Sequence, residues 1–166
     1  MNSLLQQLLS EQIEGEVRFD LYSKALYSTD ASLYQIDPIG VVIPLHKTDI
    51  LRTIQICYDQ NVPVLPRGGG TSLAGQTVGK AIVIDTSKYM NKIIEGNVEE
   101  HWAKVQPGIV LDELNHHLKS HGLMYAPDVA TSNRANVGGT IGNNSAGAHS
   151  VIYGKTIDHV MSLDLI

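Results

Sequence analysis

The spacing of apolar positions changes several times along this chain, and each change marks an element. Leu4, Leu5, Leu8 and Leu9 recur at helical spacing and predict a short amphipathic helix with all four on one face. Residues 30–38 carry no regular spacing and read as an irregular lead-in. Gly40-Val41-Val42-Ile43-Pro44 is a continuous apolar run of strand length, expected to be buried. Over residues 47–60, Ile50, Leu51, Ile54, Cys57 and Tyr58 fall at helical spacing, with Thr48 or a neighbour as the cap. Residues 62–65 and 81–85 predict two more strands, and 93–97 with 102–106 a hairpin around a polar loop. Residues 110–120 predict a helix with Leu111, Leu114 and Leu118 inward, stopped by Gly122. This order implies an α/β or α+β fold with a sheet of mixed direction. The last residues, 160–166, alternate like a strand with no turn after them. Either that strand closes a sheet or the chain continues in a longer protein, and the second is the expectation.

Between Tyr125 and Tyr153 the apolar periodicity fades and small polar residues take over. So long a stretch without regular spacing is usually functional. Its centre, Gly138-Gly139-Thr140-Ile141-Gly142-Asn143-Asn144-Ser145-Ala146-Gly147, reads as a glycine-rich helix start lying against a large, flat, polar-edged ligand. A second glycine segment, Pro66-Arg67-Gly68-Gly69-Gly70-Thr71-Ser72-Leu73-Ala74-Gly75-Gln76, directly follows the strand at 62–65. Three glycines let the backbone turn through positive φ and let another group approach closely. Successive N–H groups in such a turn form an anion-binding nest. Arg67 adds a planar fork of donors suited to phosphate, and Thr71 and Ser72 add hydroxyls. A plain glycine-rich surface turn would read the same in isolation. The presence of two such segments favours a cradle for phosphate or pyrophosphate.

Composition narrows the class. The chain has 166 residues, 43% hydrophobic and 17% charged, which fits one soluble globular domain or slightly more. A net charge of −5 argues against a nucleic-acid surface. The single cysteine, Cys57, excludes an internal disulfide and fits a reducing cytosol, so a cytoplasmic location is expected. No apolar run approaches the roughly 20 residues of a membrane span. The N-terminus lacks the basic start and continuous apolar core of a signal peptide.

Common nucleotide motifs fail. Counted from Gly68, a G-x-G-x-x-G would need glycine where Leu73 stands, and Gly138-Gly139 gives no match. Gly154-Lys155-Thr156 could end a Walker loop, but His149 occupies its first glycine position. Gly79-Lys80 is followed by Ala81, with Ala74 where glycine is needed. An ATPase is therefore excluded. His116, His117 and His121 cluster on one predicted helix without an HExxH or a cysteine pair, and read as a polar face rather than a metal site.

The two glycine segments, Pro66 to Gln76 and Ala126 to Gly147, followed by Tyr153-Gly154, resemble the FAD-binding domain of the vanillyl-alcohol oxidase and p-cresol methylhydroxylase superfamily. The resemblance covers residues 27–166 and is strongest to the FAD-linked 2-hydroxyacid dehydrogenases. These include the flavin subunit of glycolate oxidase, D-lactate dehydrogenase and D-2-hydroxyglutarate dehydrogenase. Tyr27 to Tyr34 and Tyr153 to Val160 look most like the long members, which carry a fused iron–sulfur region. It implies a two-subdomain FAD-binding fold of the p-cresol methylhydroxylase type. Residues 1–36 would form the helix and lead-in, 37–109 the first subdomain, and 110–166 the start of an incomplete second one, with FAD between the two. By resemblance, Arg67, Gly68, Gly69, Gly70, Thr71, Ser72, Gly75 and Gln76 wrap the FAD pyrophosphate. Pro127, Asp128, Thr131, Val137, Gly138, Gly139, Thr140, Asn144 and Gly147 run along the ribityl chain and flavin edge. The chain departs from the family at Thr140, where Asn or a similar residue is usual, and at Asp128-Val129, where many members have Asp-Pro. His149 is either an ordinary loop histidine or a group that tunes flavin charge.

The implied chemistry is hydride transfer from the α-carbon of a small 2-hydroxy acid to FAD. Electrons would pass on to a quinone, an electron-transfer flavoprotein or the fused iron–sulfur region. Relatives that attach FAD covalently place a histidine after the loop glycines, where this chain has Thr71, so non-covalent FAD is implied. The family's substrate domain, catalytic base and metal ligands lie further along its full-length members. No catalytic residue or metal ligand is named here, and an iron–sulfur cluster has a place only beyond Ile166. Two other readings stand: an FAD-dependent oxidoreductase of another substrate class (an alcohol or sugar oxidase, or a cell-wall precursor reductase), and a non-catalytic nucleotide-binding module.

Overall fold

The computed structural model describes residues 2–166, which form two compact units, one of residues 2–90 with Ile166 and the other Asn91–Leu165. In the first unit, helix α1 (Asn2–Gln12) buries Leu5 and Leu9 and half-buries Leu8, whereas Leu4 is 53% exposed. The buried stripe runs through Leu5, Leu9 and Ile13, and Leu4 falls off its edge. Strand β1 (Glu16–Arg18) and helix α2 (Leu21–Tyr27) follow, neither of them anticipated. Both are short, and α2 is started by Asp20, whose carboxylate accepts from the Ser23 N–H at 2.8 Å.

Strand β2 (Gly40–Ile43) is buried throughout, as expected of its unbroken apolar run. It leads through helix α3 (Lys47–Asp59) to β3 (Val64–Arg67) and then β4 (Ile82–Asp85). The sheet order is β1-β2-β4-β3; β1 runs antiparallel to β2, and β2, β4 and β3 are parallel. Alternation along the strands sends Val42 and Ile82 to a core with α1 and α3, and Val41, Ile43 and Val83 to a second core with Tyr27 and Tyr89. The parallel pairing puts the carboxyl ends of β2, β3 and β4 on one edge, the usual ligand edge of parallel strands.

Helix α3 is turned relative to its apolar pattern. Its buried face is Asp49, Thr53, Ile56 and Cys57; Ile50 and Ile54 are half-buried, while Leu51 and Tyr58 are 47% and 80% exposed. The polar residue Asp49 sets the rotation. It is fully buried and accepts from the N–H groups of Glu14 and Gly15, both at 3.1 Å, and of Leu45 at 2.9 Å. The helix begins at Lys47 as expected, but its N-cap is His46, which makes no side-chain cap bond, and not Thr48 or a neighbour.

The second unit holds an antiparallel hairpin, β5 (Ile93–Asn97) and β6 (Trp102–Val105), and helix α4 (Leu111–Lys119). Helices α5 (Val137–Gly142) and α6 (Ser150–Tyr153) and a 3₁₀ turn (Thr156–His159) complete it. Ile109, Leu114 and Val137 form its core, with Ile93, Val105, Leu118, Tyr125 and Ile141 packed around them. Because Ile93 and Val105 pack there, the hairpin belongs to this compact unit, which begins at Asn91. Residues 160–166 form no strand among the described residues. Alternation alone makes no strand where no neighbouring backbone offers hydrogen bonds.

Candidate functional site

Strand β3 ends at Arg67, and the glycine loop leaves the sheet from there. The Arg67 guanidinium folds back onto carbonyl groups. Nη2 donates to Thr29 O at 2.9 Å, and Nη1 to Thr77 O at 3.2 Å and Tyr27 O at 3.4 Å. Its Cζ also lies 5.2 Å from the centre of the Tyr27 ring, within cation–π range. Gly70 has φ 65°, a conformation that favours glycine, and Arg67 Nη2 lies 2.6 Å from where a Cβ would stand. Its carbonyl accepts from Ala31 N–H at 3.0 Å. Gly75 packs under the ring of Tyr34.

Ser72 braces the loop from inside. Its hydroxyl donates to Gln76 Oε1 at 3.0 Å and accepts from the N–H of Ala74 at 3.2 Å and of Gln76 at 3.3 Å. The N–H groups of Gly68, Gly69, Gly70 and Thr71 make no hydrogen bond among the described residues. Asp30 closes the far end, taking Thr77 Oγ1 at 2.9 Å and the N–H groups of Thr77 at 3.3 Å and Ser32 at 2.9 Å. Burial pushes the Asp30 carboxyl pKa up, but these hydrogen bonds outweigh it and hold it below its ordinary value. Tyr27 in turn donates its hydroxyl to Asp85 Oδ2 at 2.6 Å. Burial first, and that bond second, push the Tyr27 pKa up.

In the second unit, the residues marked from sequence divide between packing and surface. Val137 and Thr140 are buried; Thr140 donates its hydroxyl to Val137 O at 2.8 Å. Gly138 lies against Pro107, leaving 2.6 Å to its Cβ from any Cβ added at the glycine, and donates its N–H to Pro107 O at 2.8 Å. Gly139 is exposed, with open space where a Cβ would stand. Thr131 is exposed; its carbonyl accepts from the N–H groups of Arg134 and Ala135, both at 2.8 Å. Asn144 has φ 46° and accepts from Ile157 N–H at 3.0 Å.

Pro127, Asp128, Gly147 and His149 meet. A Cβ on Gly147 would fall on the carbonyl and side-chain oxygens of Asp128. The His149 N–H donates to Asp128 Oδ1 at 3.1 Å, and its ring Nδ1 pairs with Oδ2. The His149 side-chain bond, set against burial, lowers the Asp128 pKa. Pro127 is buried, and Asp128 and His149 line a cleft of about 350 Å³ with Asp112, Asn115, Tyr125 and Tyr153. His117 and His121 only tilt against each other, ring centres 6.2 Å apart.

Sequence reasoning missed Tyr27, Thr29, Asp30, Tyr34 and Thr77, which hold the first loop, and Asp85 behind them. Their partners lie up to 58 residues away, and no spacing rule links them. It also missed Asn136, which donates to Gly108 O at 2.6 Å and leaves Oδ1 buried without a partner among the described residues, as Tyr125 leaves its hydroxyl. Buried polar atoms are normally paired, so both mark places where a further group is wanted.

Comparison with known proteins gives four matches of use. The profile of the FAD binding domain family matches residues 38–166. A D-2-hydroxyglutarate dehydrogenase of Pseudomonas putida is 44% identical over 162 residues, 96% of this chain but 16% of that protein. The chain thus spans about a sixth of the length of that relative. Among solved structures, an alkyldihydroxyacetonephosphate synthase superposes with a TM-score of 0.83 at 22% identity, over 95% of this chain and 32% of that one. p-Cresol methylhydroxylase with substrate bound gives 0.73 at 18% identity, over 87% and 30%. At those identities the likeness is one of fold.

Proposed function

Because this chain belongs to the FAD binding domain family, we propose that it is the FAD-binding portion of a flavin-dependent oxidoreductase that oxidises a small 2-hydroxy acid. The observation that carries the reading is the loop after β3, where four successive backbone N–H groups have no hydrogen-bond partner among the described residues. A diphosphate asks for such donors with no bare carboxylate beside them. The loop fits, since the acids beside it are taken up, Asp30 by Thr77 and Ser32 and Asp85 by Tyr27 and Ser87.

In this reading Gly68, Gly69, Gly70 and Thr71 offer N–H groups to the pyrophosphate. Arg67, Ser72, Gly75 and Gln76 keep the loop in shape. The second segment runs beside the ribityl chain and flavin edge, with Gly139 and Asn144 at the surface. Val137, Gly138, Thr140 and Gly147 act there through packing, Asp128 and Pro127 line the cleft, and Thr131 is the outermost contact. When bound, FAD supplies the acceptor for a hydride from the α-carbon of the hydroxy acid. The substrate class rests on the D-2-hydroxyglutarate dehydrogenase relative and on the motif resemblance. The electrons then go to a quinone, an electron-transfer flavoprotein or an iron–sulfur region of a longer protein.

The flavin is held without a covalent bond. Thr71 stands after the loop glycines, His149 is paired with Asp128, and Cys57 is buried with its thiol pushed up to about 11. The lone reduced cysteine supports a cytoplasmic location. No helix among the described residues is long and apolar enough to cross a membrane.

The test is spectroscopic. The protein should purify yellow or take up FAD stoichiometrically, and acid precipitation should release the flavin into the supernatant. Gly69→Val should abolish FAD uptake without lowering the melting temperature by more than a few degrees, because it places a side chain where the phosphate approaches. Stoichiometric FAD in that variant would overturn the loop assignment.

A further inference from the structure

The loop expected to grip phosphate through an arginine is arranged differently. Three donors of Arg67 go to the carbonyls of Tyr27, Thr29 and Thr77, and its face covers the Tyr27 ring. Tyr27 is itself tied to Asp85, the residue that pairs with Arg67 across β3 and β4. Nη2 fills the space beside Gly70, whose positive φ sets the turn. Asp30, one residue beyond Thr29, grips Thr77 from the other side. We infer that Arg67 is a positioning residue: it stitches residues 27–29 and 77 around the turn and so holds the Gly68–Thr71 backbone ready for an anion, while the anion itself is held by N–H groups. This rests on the FAD reading for the identity of the anion, but the arrangement of Arg67 stands apart from it.

The physical argument is one of geometry. A planar guanidinium can address three carbonyls from different chain segments at once; an ammonium is a point donor and cannot reproduce that fork. Guanidinium donors committed to carbonyls are not available to a phosphate without breaking bonds that shape the loop. Ordering the loop before the ligand arrives also lowers the entropy lost on binding.

The experiment uses the full chain and its Arg67→Lys variant, with FAD and ADP as probes. The charge is kept, so what a direct phosphate contact retains is a salt-screened point charge, and the salt dependence and loop exchange separate the two roles. Positioning predicts a loss of FAD and ADP affinity of at least tenfold, equal at low and high salt. It also predicts faster amide hydrogen exchange over residues 68–77 in the ligand-free variant, with the core strands unchanged. Affinity within twofold of wild type would overturn the inference. So would a loss that disappears at high salt while loop exchange is unaltered, since that is the mark of a screened charge contact. If the variant does not fold, the wild-type protein labelled with ¹⁵N-arginine decides. The Arg67 guanidinium protons should exchange slowly before ligand is added and keep their shifts when ADP binds; a large shift on ADP addition would show direct contact and overturn the inference. Failure of the wild-type protein to bind FAD or ADP would instead reject the FAD reading, and the exchange measurement on ligand-free protein would still test the role of Arg67.

Discussion

Gly139 and Gly147 are the same letter in the same segment, yet they have opposite requirements. An added Cβ at Gly147 would collide with Asp128, whereas at Gly139 it meets nothing. Gly147→Ala should therefore destabilise the protein by about 2 kcal/mol or more, through overpacking against a backbone carbonyl that cannot easily move. Gly139→Ala lies inside α5 and should leave the fold intact or stabilise it by about 0.5–1 kcal/mol, the helical preference of alanine. Urea unfolding of the two variants checks both signs. If FAD lies against Gly139, the same alanine should weaken FAD binding while raising stability; unchanged affinity would remove Gly139 from the contact surface. At this scale the sequence marked where chemistry gathers but not what each residue does there. Arg67 was legible as important, and its partners were not, because Tyr27 and Thr29 meet it only after the chain has folded over about 40 residues.

Elements with unbroken apolar runs were the easiest to read. Strands β2 and β4 are buried end to end and lie where their valines and isoleucines placed them. Strand β1 and helix α2 were not legible, because polar contacts and caps define them. Glu16 is the example. Its carboxylate pairs with Lys88, accepts from the Tyr89 hydroxyl at 2.6 Å and pairs with Arg18, so it joins β1 to the segment after β4. Lys88 first, and Tyr89 next, hold its pKa down at about 2. A depressed carboxyl contributes stability that is present above the ordinary carboxylate range and is lost as pH falls through the folded value. Glu16→Gln should thus be less stable than wild type by about 1 kcal/mol at neutral pH, the scale of a partly exposed ion pair in a small network. The gap should close as pH falls from about 4.5 to about 2; denaturation at several pH values reads it, and a constant gap would contradict the assignment. Asp49 is the stronger joint. It alone satisfies three backbone N–H groups at the α1–β1 and β2–α3 connections. Asp49→Ala should cost about 3 kcal/mol or more, because buried donors are left unpaired. A loss below 1 kcal/mol would mean that water replaces the carboxylate.

At the scale of the molecule, a mixed sheet with helices was legible from the order of elements, which left α/β and α+β open, and the p-cresol methylhydroxylase-type fold from the two glycine segments. The strand expected at residues 160–166 was not realised, since pairing depends on a neighbour that the local pattern does not contain. The chemistry of the substrate is a question of a different kind. Hydride abstraction from a hydroxy acid needs a base within about 2.6–3.2 Å of the reacting hydroxyl and a group for the carboxylate. In the cleft of the second unit, the two groups best suited to move a proton, Asp128 and His149, are paired with each other. The match to D-2-hydroxyglutarate dehydrogenase covers 16% of that protein, leaving most of its chain to supply substrate contacts. We therefore expect these 166 residues, given excess FAD, to bind the flavin and yet reduce no dye with D-2-hydroxyglutarate, D-lactate or glycolate. Turnover should lie at least about 100-fold below that of the Pseudomonas putida dehydrogenase assayed alongside, the usual contribution of a positioned acid or base. Comparable turnover would place the base within this chain. The first variant to make would then be His149→Gln, which removes the imidazole beside Asp128 while keeping a hydrogen-bonding side chain in the cleft.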